Sequence, residues 1–222
     1  MEDKTIEILS QCPLFADMSK PEIELTLMGA KSRIVEYNRN DIYALAGMPC
    51  RYADIILDGI LVCRMSSLSG KQVEVSRLRP GNMIAPAFIF SKDHSLPVSV
   101  ETATKARIFR LSVDTMKSLI DDNEQLRTNF LRMLSNIDVF LTQKLRFLSL
   151  LTVREKVAHL LLERAREQKS MHITLYRSRQ EIADSFGIQK YSLMRVIADF
   201  EKSGAIAVNG KDITILDKGK ML

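Results

Sequence analysis

The 222-residue sequence predicts an α+β fold: a jelly-roll-like antiparallel β-roll, one long helix, and a small helical domain closed by a β-hairpin. Three observations predict it. Between about 33 and 112, short strand-like runs are punctuated by glycine, proline and asparagine turns. From Asn123 to Leu148 no proline or glycine interrupts a helical apolar pattern. From Ser178 to Gly204, two capped helical segments flank a single glycine. The expected divisions are 1–120 for the roll, 121–150 for the long helix and 151–222 for the C-terminal domain.

The elements follow in chain order. Residues 4–30 alternate at helical spacing, broken by Pro13 and restarted at Ser19, a helix cap with Pro21 close behind. The strand runs are "RIVEY", "YADIILDGILVCRM", "QVEVSRL", "LPVSVETAT" and "ARIFRL". Turns are expected at Asn38, Gly47-Met48-Pro49, Ser69-Gly70 and Pro80-Gly81, a spacing that suits an antiparallel roll. Residues 113–121 read as a short helix. In the long helix, Leu126, Phe130, Met133, Ile137 and Phe140 step by three and four, and Leu134, Leu141, Leu145 and Leu148 form a second row. Such a helix is roughly 40 Å long. Its stripe is wider than one packing seam needs, so one edge is expected against the roll and the other against a second copy of the chain, giving a homodimer. Thr152 with Glu155 opens the next helix, 171–175 read as a strand, and 205–216 as a hairpin. Asn209-Gly210 is read as the hairpin's central pair, with left-handed backbone at both positions.

Composition narrows the function. "MEDKTIEILS" has acids where a signal peptide needs bases, and no apolar run approaches a membrane span, so a cytoplasmic protein with no membrane partner is expected. Cys12, Cys50 and Cys63 are too few and scattered for a disulfide framework or a four-thiolate iron–sulfur site. No nucleophile elbow, metal-binding His pair or P-loop is present, and an enzyme is not expected. Lys plus Arg number 19 against 18 acids over 1–149, but 13 against 9 over 150–222, so the positive excess sits in the last third. That points toward nucleic acid.

"SRQEIADSFGIQKYSLMRVIADFEKSGAI" answers what the excess is for. Ser178 and Glu181 form a capping box, Gly187 permits the sharp turn, and Leu193, Val196, Ile197 and Phe200 give the second helix an inward face. Gly204 supplies the left-handed stop. The outward faces carry Lys190, Tyr191, Ser192, Arg195 and Asp199, with long donors near the N-terminal end, as a helix in a major groove requires. With the hairpin and its Lys211, this is a winged helix-turn-helix.

These motifs, together with "CPLFADMSKPEIE", "ADIILDGILVCRM", "LRPGNMI" and "LTVREKVAHLLLERA", resemble the Crp/Fnr family of transcription regulators over essentially the whole chain. The resemblance implies an effector-controlled homodimer on a palindromic double-stranded DNA operator, working with RNA polymerase. It implies DNA contacts at Ser178, Arg179, Gln180, Gln189, Lys190, Tyr191, Ser192, Arg195 and Lys211. Tyr191 stands where many members carry a glutamate that accepts from cytosine. A phenol cannot reproduce a carboxylate's acceptor geometry, so an altered operator is expected. Tyr191 packing on a sugar or a thymine methyl stands as the equal alternative.

Cyclic-nucleotide-binding members place a Gly-Glu pair and an Arg-Ser pair around the ribose and phosphate. The matching stretch here puts Ala85-Pro86 and Leu96-Pro97 at those positions. The prolines lack N–H groups and no arginine is available to the phosphate, so cyclic AMP is not expected. The segment is apolar instead. Met83, Ile84, Phe88, His94, Phe130, Met133, Leu134, Ile137 and Leu141 are the candidate effector-pocket residues, either as a filled core or as the lining for a flat hydrophobic cofactor. Haem responding to a diatomic gas such as nitric oxide, a nitrosative-stress signal, is the candidate cofactor, as in some branches of the family, with His94 the best-placed ligand and His159 and His172 structural. The competing reading is a ligand-independent regulator whose roll is only a dimer scaffold.

Overall fold

A computed structural model describes residues 2–66 and 72–221. The chain forms two compact units, the first holding the residues up to Ser66 together with Val75–Leu141, the second holding the stretch that ends at Glu74 together with the residues from Thr142 onward. Among the described residues, no helix is long and apolar enough to cross a membrane.

The first unit opens with helix α1 (Asp3–Leu9), a 3-10 turn at Pro13–Phe15 and α2 (Lys20–Leu27). Eight strands follow: β1 (Ser32–Tyr37), β2 (Ile42–Ala44), β3 (Tyr52–Asp58), β4 (Leu61–Ser66), β5 (Gln72–Leu78), β6 (Met83–Ile84), β7 (Ser99–Thr102) and β8 (Ala106–Ser112). They make two antiparallel four-stranded sheets, ordered β1-β8-β3-β6 and β2-β7-β4-β5, the roll that the strand spacing predicts. The run "YADIILDGILVCRM" proves to be two strands in different sheets, joined at Gly59. Gly59 has φ +90°, and a Cβ there would collide with the Lys105 carbonyl oxygen, so the corner admits only glycine. The predicted Ser69-Gly70 turn lies outside the described residues.

Alternation along β3 and β8 divides the unit's interior. Ala53, Ile55, Leu57, Phe109 and Leu111 face the helices, packing with Ile6 and Leu9 of α1, Phe15, and Ile23 of α2. Met116 and Ile120 of α3 (Val113–Asp122) join the same core. Ile56 and Ile108 face the other sheet, with Leu61, Cys63, Ile84, Val100 and Ala106. Helix α4 runs from Glu124 to Leu150. It buries Leu126, Phe130 and Met133 in the helix-side core, with Leu134 and Ile137 half-buried at its margin. Asn129, also buried, is fully satisfied: its Nδ2 donates to the carbonyls of Leu14 at 3.1 Å and Ala16 at 2.7 Å, and its Oδ1 accepts from Gln125. The first predicted row leaves the core at Phe140, which is exposed, as are Leu141 and Leu145.

In the second unit, α5 (Val153–Glu167) starts on the predicted Thr152–Glu155 capping box. Then come β9 (His172–Thr174), α6 (Arg179–Phe186), α7 (Lys190–Lys202), β10 (Ile206–Asn209) and β11 (Asp212–Ile215). The last two strands and β9 form a sheet ordered β10-β11-β9. Val157, Leu161, Ile173, Ile182, Leu193 and Phe200 share its core. The end of α4 belongs here: Phe147 packs on Phe186 and His159, and the Lys144 ammonium donates to the Ser185 carbonyl at 3.1 Å. The hairpin corrects one expectation. Asn209 pairs with Asp212, so Gly210 and Lys211 are the central pair, and φ is positive at Gly210 but not at Asn209. Glycine at the first central position is the type II′ pattern, which also matches the right-handed twist of the strands.

Candidate nucleic-acid interface

Helix α6 begins where the Ser178 hydroxyl accepts from the Glu181 N–H at 3.2 Å, while the Ser178 N–H donates to the Glu181 carboxylate at 2.8 Å. The box fixes both the start of the helix and the direction in which Arg179 and Gln180 leave it. Ile182, Ala183 and Phe186 are buried beneath. Gly187, with φ +63°, ends α6 by donating to the carbonyls of Ala183 and Asp184. Three residues later α7 begins.

Leu193, Val196, Ile197 and Phe200 point α7's inner face into the core. That leaves Gln189, Lys190, Tyr191 and Arg195 exposed, and Ser192 half-buried. Tyr191 is 75% exposed, far more than a phenol ring placed for packing alone. The hairpin brings an exposed Lys211 to its tip. Among the described residues no carboxylate pairs with Arg179, Lys190, Arg195 or Lys211. Unneutralised cations on one domain are the electrostatic condition for gripping a phosphate backbone. Gln180 is partly committed, its Nε2 donating to Asp184 at 2.8 Å. Arg179 is half-buried, and one of its N–H groups donates to the Gly210 carbonyl at 2.9 Å. Burial without an acidic partner pulls its pKa down.

Of the nine effector-pocket candidates, Met83, Phe130, Met133, Leu134 and Ile137 lie in or against the helix-side core, and the other four are not part of it. Met83 and Ile84 are neighbours in a strand and so face opposite ways: Met83 joins Phe130 and Met133 in the helix-side core, while Ile84 lies between the sheets. Leu134 and Ile137 sit at the rim, Phe88 is half-buried, and His94 and Leu141 are exposed. Phe90 stacks edge-on against Phe130 with ring centres 5.4 Å apart. His94 is a loop residue whose Nδ1–H donates to the Phe88 carbonyl at 2.9 Å. His159 packs on Phe147 and His172 shares a hydrogen bond with Thr214, both in structural settings. Among the described residues, no three His, Cys, Asp or Glu side chains cluster to hold a metal.

Ala85 takes a left-handed conformation, φ +48°, ahead of buried Pro86. Leu96 is 3% exposed, its N–H donating to Met48 and its carbonyl accepting from Gly47. No N–H of Pro86, Leu96 or Pro97 is free for a phosphate, and residues 83–99 contain no arginine.

Sequence reasoning missed one polar cluster. Asp54 of β3 faces the other sheet with 0% exposure, directly across from Arg110 of β8. The guanidinium donates from Nε at 3.0 Å to each carboxylate oxygen and from Nη2 at 2.6 Å. The Tyr43 hydroxyl, from the second sheet, donates to the same carboxylate at 2.8 Å. Tyr37 accepts from Nη2, and the Tyr52 ring lies 4.2 Å beneath the guanidinium. The available signal was a charged residue at an inward position in each of two strands, "YADIIL" and "ARIFRL".

Residues 34–123 match the family described as cyclic nucleotide-binding domain, and residues 155–222 match the Crp-like helix-turn-helix domain. The chain is similar to the CRP-like cAMP-activated global transcriptional regulator of Mycobacterium tuberculosis, 23% identical over 220 residues and covering 97% of each. It is 28% identical over 126 residues to the transcriptional activator protein anr of Pseudomonas aeruginosa, covering 54% of this chain and 52% of that one. The solved structure of the c-di-GMP responsive global regulator CLP of Xanthomonas campestris shares its fold, with a TM-score of 0.72 at 18% identity, over 87% of this chain and 97% of that one.

Proposed function

The chain belongs to the Crp/Fnr family of transcription regulators, and from that premise we propose that it binds a palindromic operator as a homodimer through α7, under the control of an effector other than a cyclic nucleotide. The observation that carries this reading is the outward face of α7, where Lys190, Tyr191 and Arg195 stand exposed on a helix whose other side is locked in the core. Arg195 is suited to bidentate contact with a guanine edge, and Lys190 to a base or phosphate. The Tyr191 hydroxyl and ring favour a base other than the cytosine that a glutamate selects, which gives an altered half-site. Contacts from Ser178, Arg179, Gln180, Gln189 and Ser192 to the backbone set register, with Lys211 adding a wing contact. The exposure of Leu141 and Leu145 on α4 supports their pairing with symmetry mates in a two-fold arrangement, which sets two recognition helices about one DNA turn, ~34 Å, apart. Contact with RNA polymerase belongs to the same reading.

For the effector, the chemistry of His94 supports haem. Because Nδ1 carries the proton given to Phe88, Nε2 keeps its lone pair and is open for coordination, the second-sphere arrangement usual for metal-ligating imidazoles. Haem, when bound, supplies an iron that takes up diatomic gases such as nitric oxide. A second reading, in which the roll is only a dimer scaffold, is favoured by the close packing of Met83, Phe130 and Met133. Titration with hemin separates the two. A sharp one-to-one Soret band that His94→Ala abolishes supports the sensor; broad absorbance indifferent to His94 supports the scaffold.

The DNA reading is tested by footprinting on genomic fragments. Two protected half-sites, with affinity falling about 100-fold or more in Arg195→Ala, which removes one contact from each half-site, are expected. Absence of any preferred site in every ligand state overturns it.

A further inference from the structure

We propose that Arg179 is a positioning residue for the wing, coupling the start of α6 to the hairpin tip so that the two engage DNA as a single phosphate-binding unit. The inference rests on the DNA-binding reading above, but assigns Arg179 a role that a freely reaching phosphate contact does not have.

The tip is held unevenly. On the β9 side, the Leu175 N–H donates to the Lys211 carbonyl at 2.9 Å, and the Thr174 hydroxyl to Asp212 at 2.6 Å. At the summit, a Cβ built on Gly210 would meet nothing within 4 Å, so packing does not fix the turn there. What reaches it is the Arg179 guanidinium, 31 residues away in sequence, donating to the Gly210 carbonyl at 2.9 Å. A bare carbonyl at this tip would present a partial negative charge to an approaching phosphate. Capped by Arg179, it presents a cation instead.

The same guanidinium is half-buried, with no carboxylate beside it among the described residues. A guanidinium has five N–H donors in a planar fork, and one edge on Gly210 leaves the other edge for a phosphate oxygen. Lys211 follows Gly210 directly, so the direction of its ammonium depends on the turn that Arg179 holds. Lys211 therefore counts toward DNA binding only while Arg179 is in place.

The salt dependence of affinity measures this. Each phosphate contact contributes a slope of about −0.9 in log K against log salt. The full chain, Lys211→Ala, Arg179→Ala, Arg179→Lys and the Arg179→Ala/Lys211→Ala double variant are titrated with a labelled duplex carrying the selected operator. Because two copies bind the operator, each substitution acts twice: Lys211→Ala is expected to lower the slope by about 1.8, Arg179→Ala by about 3.6, and the double variant no further than Arg179→Ala. Arg179→Lys, which keeps a point charge but not the fork, loses about 1.8 and behaves as though Lys211 were absent. Independent losses of about 1.8 each, adding in the double variant, overturn the coupling. Hydrogen exchange on the free chain gives a second arm that needs no DNA. Faster exchange at amides 210–212 in both Arg179 variants, with the α7 amides unchanged, is expected; an unaltered tip overturns the proposal. If the parent chain shows no salt-dependent binding, the DNA reading itself fails, and the exchange arm still decides the wing contact.

Discussion

Replacing Arg110 with methionine removes the cation but keeps the bulk of its stem, leaving the Asp54 carboxylate inside the roll with one side-chain donor, Tyr43, where it had several. Asp54 is fully buried, so water cannot compensate. Breaking one side of a buried ion pair costs about 3–5 kcal/mol, whereas replacing both partners with apolar groups is often neutral or stabilising. Tyr43→Phe, which deletes one hydrogen bond to a charged group, should cost about 1.5–3 kcal/mol. Arg110→Met is therefore the most damaging of the three, and Asp54→Leu/Arg110→Met recovers most of the loss. The pH dependence has a definite sign. Burial pushes the Asp54 carboxyl up, against the Arg110 guanidinium and the Tyr43 hydroxyl, which pull it down. Without Arg110 the upward push meets only the lesser pull of the Tyr43 hydroxyl and the Arg33 charge, so the folded variant binds a proton that the unfolded chain releases. Its deficit should grow as pH rises above the ordinary carboxylate range and shrink in acid. The chain has no tryptophan, so urea titrations followed by far-ultraviolet circular dichroism at several pH values are the suitable assay. A cost for Arg110→Met below about 1 kcal/mol, or a double variant as unstable as the single one, refutes this account of the cluster.

Three further predictions rest on separate features. Gly59→Ala forces a side chain against the Lys105 carbonyl at positive φ and should destabilise the first unit by at least about 2 kcal/mol in urea, while an alanine elsewhere in the loop should not. Ser178→Ala removes the acceptor that starts α6, costing about 1 kcal/mol in the second unit's transition. Leu145→Asp places charges on the exposed seam of α4; in the proposed homodimer it removes two leucines from the interface, about 4 kcal/mol, and should weaken self-association roughly a thousandfold in sedimentation velocity. An unchanged dimer would place the interface elsewhere.

Local signals carried the second unit. Capping boxes at Thr152 and Ser178, glycines at 187 and 204, and the three-and-four spacing of Leu193, Val196, Ile197 and Phe200 each depend on neighbours within one or two turns, and the elements begin and end beside them. The turn at Gly210 was misplaced by one residue because the motif Asn-Gly fits two registers, and cross-strand pairing of Asn209 with Asp212 decides between them. Strands β2 and β6, of three and two residues, are too short to show alternation. The Asp54–Arg110 pair joins residues 56 apart, which no local pattern reveals. The candidate pocket residues divide for a related reason: apolar character marks Met83 and Ile84 as interior, but strand geometry sends them to two different cores.

Binding-site selection from random duplexes, with the parent chain and with Tyr191→Glu, decides whether α7 reads operator bases through its exposed face. The parent should enrich a two-fold palindrome with half-sites about one helical turn apart, and the glutamate variant should change the base preference at one position in each half-site while leaving the spacing intact. If both proteins enrich the same sequence, or neither enriches any, α7 is not the reading helix.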